Sequence, residues 1–170
     1  MKQYLIKKGA HYCSVGLFER IGAIGWKIKK YSIRFVLHNA CWWAPKRNDD
    51  DLDLNKLSGV SYGLNDHSNS VRLVWRPDFD NSGKIMIYGY TYDKLSTGQH
   101  TSLYITTVQT GQTCDGLIEV IGNQYSITVN GVNVKMDNTH PDPSMCFRLY
   151  PYFGGNNVAP QDMLIDIDYL

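Results

Sequence analysis

The ten residues Lys84–Asp93 (KIMIYGYTYD) alternate strictly, and this constrains the chain more than any other feature. Successive side chains of a strand point to opposite faces of a sheet. Met86, Tyr88, Tyr90 and Tyr92 therefore share one face, and Ile85, Ile87, Gly89 and Thr91 share the other. Two further segments repeat the pattern. In 70–76, Ser70, Arg72 and Arg76 oppose Val71, Leu73 and Trp75; in 145–153, Arg148, Tyr150 and Tyr152 oppose Phe147, Leu149 and Phe153. Each strand is expected to carry an apolar face and a face of arginine and tyrosine.

Most of the remaining chain also reads as strand. Segments 28–39, 101–109, 114–121, 124–136 and 163–170 are rich in β-branched and aromatic residues. Between Tyr125–Val129 and Val132–Met136, Asn130-Gly131 predicts a two-residue type I′ hairpin, because both positions require φ > 0. Further breaks are expected at Asn81-Ser82-Gly83, Thr97-Gly98, Gly111 and Gly122-Asn123. The best helical candidate, Leu17–Ile24, is interrupted by glycine at both ends. Many short strands without amphipathic helices predict an all-β fold, a two-sheet antiparallel jelly-roll sandwich. A chain of 170 residues suffices for one core. The expected division is a sandwich over 26–170, with 1–25, which holds Gly9, Gly16, Gly22 and Gly25, as an N-terminal arm or irregular first strand.

Lysine plus arginine number 17 and aspartate plus glutamate 16, so no long-range field of one sign points to a nucleic-acid partner. No stretch approaches the roughly 20 apolar residues of a membrane span, and no membrane insertion is expected. Cys13, Cys41, Cys114 and Cys146 are far apart and form no CxxC, which argues against a zinc ribbon or thioredoxin motif. They are expected as buried, mostly reduced thiols, two disulfides in any of three connectivities being the alternative. Met1–Gly9 lacks the apolar run of a signal peptide, so the chain is expected to stay in the cytoplasm where it is made.

Metal and loop candidates are weaker. Asn48-Asp-Asp-Asp-Leu-Asp53 clusters the oxygen ligands calcium prefers, but Leu54 stands where an EF-hand loop needs glycine and position twelve is not glutamate, so no cofactor is expected. His11, His38, His67, His100 and His140 show no ligand spacing. Trp42-Trp43, if on a strand, would send one ring to the core and leave the other packed under the acidic loop or open to a sugar. Asn156-Asn157 and Asn65-Asp66 beside His67 fit either ordinary turns or sugar-hydroxyl contacts.

The Arg/Tyr faces carry the functional expectation. Phenol rings stack on sugars and guanidinium groups grip carboxylates through paired hydrogen bonds. Arg72, Arg76, Tyr88, Tyr90, Tyr92, Arg148, Tyr150 and Tyr152 are the candidate ligand or interface residues. The same composition suits a tyrosine-lined core or a subunit interface.

Several motifs add a resemblance. Tyr150-Pro-Tyr-Phe-Gly-Gly-Asn-Asn-Val-Ala-Pro-Gln-Asp162, followed by Met163–Leu170, resembles the end of concanavalin A-like jelly rolls of the polysaccharide-lyase and glycan-binding type. Gln124-Tyr-Ser-Ile-Thr-Val-Asn-Gly-Val132 is similar to a hairpin of lectin-like sandwiches. Asn55–Ser61, Asn69–Arg72 and Ile87–Tyr92 resemble small jelly rolls of gut Bacteroides-type bacteria and their tailed phages. Lyases of this fold carry an arginine strand, a Gln-x-His strand and a closing Tyr-x-Lys-x-Gly-x-Tyr strand. The resemblance implies Arg72 or Arg76 for the first and Tyr150 or Tyr152 near the third. However, Gly154-Gly155 lacks the lysine and no Gln-x-His occurs. The Glu-x-Asp-x-x-Glu strand of related hydrolases is also missing, since the only glutamates are Glu19 and Glu119. Asp166 and Asp168 alternate on the last strand, where they are expected to face solvent.

The expectation from sequence is thus a non-catalytic structural or adhesive module of a phage virion or similar assembly: a capsid-decorating, head-fibre or tail protein. It would be a homo-oligomer, with polysaccharide as its ligand. The alternatives are a free-standing lectin-like module and, more weakly, a polysaccharide lyase.

Overall fold

The computed structural model describes residues 1–16, 23–45, 52–64, 67, 69–93, 100–137 and 145–170. The acidic run as far as Asp51, Asn65-Asp66, the Thr97-Gly98 turn, Glu19, His140 and most of the Leu17–Ile24 segment lie outside the described residues.

Twelve strands are present among the described residues: β1 (Lys2–Ile6), β2 (Ala23–Trp26), β3 (Lys30–Leu37), β4 (Asn55–Tyr62), β5 (Asn69–Pro77), β6 (Lys84–Asp93), β7 (His100–Gln109), β8 (Thr113–Ile121), β9 (Gln124–Val129), β10 (Val132–Asp137), β11 (Met145–Leu149) and β12 (Met163–Tyr169). They form two six-stranded sheets, ordered β1-β12-β3-β8-β9-β10 and β2-β11-β4-β5-β6-β7. Every pairing is antiparallel. The fold is the two-sheet antiparallel jelly-roll sandwich that the alternation predicts.

The alternation works because one face of each strand closes the same core. Val71, Leu73 and Trp75 of β5 and Ile85 and Ile87 of β6 pack against Ile33 and Phe35 of β3, Ile127 and Val129 of β9, and Ile165 and Ile167 of β12. Side chains of this size contribute about 1.5–3 kcal/mol each when fully buried. Gly89 shares the inward face of β6, where an added Cβ would stand 2.8 Å from Ile127 Cδ1 and 2.9 Å from the Met136 sulfur. Glycine here lets the second sheet come down on the first.

The predicted hairpin joins β9 to β10, with Asn130 at φ 49° and Gly131 at φ 84°. Asn130 Oδ1 also accepts the Asp115 N–H at 2.9 Å, tying the turn to β8. All four cysteines are buried and free.

Three readings are corrected. The 145–153 alternation does not run its full length, because β11 ends at Leu149, before Pro151. Trp42-Trp43 does not lie on a strand but follows a single 3-10 turn, Asn39–Cys41. Trp43 packs near Trp75, Phe79 and Phe153, while Trp42 Nε1 donates to the Asp78 carbonyl at 3.1 Å. Strand β4 was not anticipated, and β1 and most of β2 fall within 1–25, for which an arm or an irregular first strand was expected; each is short of the repeated aromatic and β-branched residues that mark β5 and β6.

Candidate functional site

The register fixes which side chains meet on the outer face of the second sheet. Paired residues in neighbouring antiparallel strands share a face. One row therefore crosses five strands as Leu149, Gly59, Arg72, Tyr90 and Ser102, and the next as Phe147, Ser61, Ser70, Tyr92 and His100. These rows bring Arg72, Tyr90, Tyr92 and His100 together.

Ring geometry makes the cluster rigid. Tyr90 stacks on His100 with centroids 5.0 Å apart and planes 15° from parallel, and meets Tyr92 edge-on at 5.3 Å. His67 closes on Tyr92 at 5.1 Å. The Arg72 guanidinium lies 5.6 Å from the Tyr92 ring centre, and its Nε donates to Ser70 Oγ at 3.2 Å. Arg72 is only 5% exposed. A guanidinium is weakly hydrated for a cation and stacks well on aromatic faces, which makes arginine the charged side chain suited to such a position.

Lys56 completes the group from β4. Its backbone pairs with Val74 on one side and exchanges hydrogen bonds with Tyr152 on the other, 2.8 and 3.0 Å long. Its Nζ donates to the Leu54 carbonyl at 2.8 Å and sits 5.2 Å from the Tyr90 ring centre. Burial, with Arg72 nearby as a smaller cause, lowers the ammonium pKa to about 8, against the opposing pull of Asp53. Burial also holds the Tyr90 hydroxyl well above the usual phenol range.

A groove of about 590 Å³ opens beside Lys56, Arg72 and Tyr92. Lys56, His67, Arg72 and Tyr92 line it together with Tyr12, Arg148, Tyr150, Tyr152 and Asn156. Among the described residues lining it, none is an aspartate or glutamate. Among the described residues no group of three or more histidine, cysteine, aspartate or glutamate side chains is arranged to hold a metal. The chemistry available is that of cations, phenols, imidazoles and an amine of lowered pKa.

Of the candidate residues, Arg72, Tyr92, Arg148, Tyr150 and Tyr152 line the groove, and Arg76, Tyr88 and Tyr90 do not. Arg72, Tyr90 and Tyr92 meet on the outer face. Arg76 and Tyr88 share that face but lie outside the groove, with Arg76 Nε donating to the Tyr88 hydroxyl at 3.1 Å and Tyr88 meeting Tyr104 edge-on. Arg148 departs from its expected face, because it pairs with Val60, on the core side of β4. Its guanidinium sits 3.6 Å from the Tyr169 ring centre, in a set with Tyr4, Tyr31 and Tyr150. Phe147 and Leu149, expected inward, take the outer face instead. Tyr152 lies beyond β11, stacked on His11 at 5.4 Å, at the rim of the groove.

Sequence reasoning missed Lys56, His100 and Tyr12, and reached His67 only as the neighbour of a polar loop. His100 was legible in principle, since the strand beside Tyr92 begins there. Lys56 was not, because its place depends on the irregularity between Lys56 and Ser58, where β4 shifts register against β5. Asp166 and Asp168 belong to the first sheet, away from the groove, and Asp166 is paired with His38 Nε2 at 2.9 Å.

No protein-family model matches the chain, and no curated protein matches it in sequence. Solved structures do. The alginate lyase of Klebsiella pneumoniae superposes with a TM-score of 0.61 at 10% identity, over 83% of this chain and 59% of that one. The chain thus spans less than two thirds of that enzyme's length. Alginate lyase AlyC3 gives 0.61 at 13% identity, over 99% and 74%. The Bacteroides ovatus mixed linkage glucan GH16 protein, in complex with a G4G4G3G product, gives 0.60 at 12% identity, over 99% and 80%. The fold is therefore the concanavalin A-like jelly roll that the closing motifs resemble. The expectation of a non-catalytic phage virion module is corrected: the structures named here are polysaccharide lyases and a GH16 protein, and none is a virion component. The expectation that the chain is not an enzyme finds no support in them either.

Proposed function

We propose that the outer face of the second sheet binds an acidic polysaccharide and cleaves it by β-elimination beside a uronate. The observation that carries this reading is Arg72, a residue only 5% exposed on a sheet face, its guanidinium held by Ser70 and Tyr92 at the groove wall. A buried cation there offers a carboxylate paired, charge-assisted hydrogen bonds in a medium of low dielectric constant. Neutralising the uronate carboxylate acidifies the neighbouring C5–H, which is what β-elimination requires.

Residue types around the groove favour elimination over hydrolysis. Hydrolysis of a glycosidic bond ordinarily uses two carboxyl groups facing each other across it. Among the described residues lining the groove there are none, whereas arginine, lysine, tyrosine and histidine converge. The strand beside Arg72 carries Tyr90 and Tyr92 at alternate positions, so two phenols share its face. The alginate lyases that share the fold support the same substrate class.

The test is incubation with polyuronates, alginate first, while following the absorbance of the unsaturated sugar formed at each cut. A steady rise, abolished by replacing Arg72, supports the reading. Binding without any unsaturated product would favour a lectin-like carbohydrate-binding module, for which the exposed Tyr12 and the rings of Tyr152 and His11 supply a stacking surface.

A further inference from the structure

Lys56 is held in place more firmly than a lysine at a groove wall needs to be. β5 pairs with its backbone on one side and Tyr152 on the other. Its Nζ is fastened to the Leu54 carbonyl and lies over the Tyr90 ring. Gly154 leaves the space for it, since an added Cβ there would stand 2.8 Å from Nζ and collide with the Leu54 carbonyl oxygen. An ordinary surface lysine has a solvated, mobile head group. This one has a fixed head group beside the guanidinium suited to the substrate's carboxylate.

We propose that Lys56 is the catalytic base of this site, accepting the C5 proton of a uronate whose carboxylate is bound by Arg72. The inference rests on the lyase reading and extends it. The carboxylate and the acidic hydrogen are substituents of the same carbon, so a group that grips one and a group that takes the other must be close neighbours on the groove wall. Arg72 on β5 and Lys56 on β4 are such neighbours, and both line the groove. As Nζ takes the proton, the C5–H electron pair forms the C4=C5 double bond. The C4–O4 bond breaks with its pair on O4, which takes a proton from water in the groove. The Lys56 ammonium then returns its proton to solvent.

A base must be neutral to act, and the surroundings favour that. Burial disfavours the ammonium and Arg72 on β5 repels it, while Asp53 just before β4 and the Tyr90 ring on β6, 5.2 Å from Nζ, act the other way. With the pKa near 8, a useful fraction of Lys56 is unprotonated in mildly alkaline solution.

The test is the pH profile of kcat/KM on a polyuronate for wild type, Lys56→Arg and Lys56→Met, with substrate binding measured in parallel. Wild-type activity should rise with pH and level off above about 8. Lys56→Arg keeps the charge but has no neutral form, so it should bind the polymer yet lose roughly 10²- to 10⁴-fold in turnover, with no inflection in the residual rate. Lys56→Met should lose as much, and guards against misfitting of the larger arginine. If either variant retains its rate and the inflection near 8 while wild type is active, Lys56 is not the base and the lyase reading stands. If wild type gives no unsaturated product on any polyuronate, both readings fall.

Discussion

Gly59 of β4 lies directly across from Arg72 of β5, and a Cβ added to it would stand 2.7 Å from the Arg72 Cα and collide with the Val71 carbonyl oxygen. The site arginine is therefore framed by a residue that can have no side chain. Backbone atoms cannot move aside as a side-chain end can, so Gly59→Ala should disrupt the β4–β5 pairing. The expected cost is at least the roughly 1–3 kcal/mol typical of overpacking. Gly89→Ala meets only side-chain atoms, the ends of Ile127 and Met136 closest, and should cost less. Urea unfolding of the two variants checks the order, and a Gly59→Ala protein as stable as wild type would contradict it.

Arg72 itself should matter for binding more than for folding. Hydrogen bonds to charged groups contribute about 1.5–3 kcal/mol, so Arg72→Met should weaken polyuronate binding by roughly ten- to a hundredfold. Arg72→Lys should recover only part, because an ammonium lacks the paired donor geometry. Calorimetric titration with uronate oligomers, and with a neutral glucan as control, would show this as loss on the acidic ligand alone.

Lys56 gives the protein a pH-dependent stability whose sign can be worked out. The unfolded lysine titrates near about 10.4, the folded one at about 8. Between these values the unfolded chain holds the extra proton, so stability rises with pH across that window. The penalty for the buried ammonium is full below about 8 and gone above about 10.4. Lys56→Met carries no such penalty and should melt roughly a few degrees above wild type at pH 7. The two melting curves should converge near about pH 10.5. A Lys56→Met protein that melts lower at pH 7 would mean that the contacts to Leu54 and Tyr90 outweigh the burial.

The β9–β10 hairpin offers a test remote from the groove. Asn130 takes a left-handed conformation and accepts the Asp115 N–H. Asn130→Ala loses both advantages and should cost about 1–2 kcal/mol. Asn130→Gly keeps the backbone freedom and should cost less. Thermal melts of the pair should separate the two contributions.

The fold was legible because its information is local. Period-two alternation in β5 and β6 fixes which residues face the core, and Asn130-Gly131 fixes a hairpin without reference to anything distant. On those two strands the polar face was also read correctly. The failure on β11 is instructive. Arg148 looks like an outward residue between Phe147 and Leu149, yet it turns inward because the Tyr31 and Tyr169 rings, on β3 and β12, wait to receive a guanidinium. Tyr31 in turn has its hydroxyl against Ser58 Oγ at 2.7 Å, and Ser58 donates to the Leu149 carbonyl. Nothing within ten residues of Arg148 announces partners contributed by strands more than a hundred residues earlier or some twenty later. Lys56 was hidden for a similar reason: a register shift and the Tyr152 bridge put it in the groove.

The row of Leu149, Gly59, Arg72, Tyr90 and Ser102 draws one residue from each of five strands spread over 91 positions of the chain. No hairpin holds more than two of its members. Such a site cannot exist in a partly folded chain, and its assembly waits on the most distant pairing within the row, β11 against β4. Topologies dominated by pairings of this kind fold slowly, in roughly milliseconds to seconds. Recovery of groove function during refolding should therefore trail the first appearance of β structure, making activity a reporter of a long-range closure rather than of collapse.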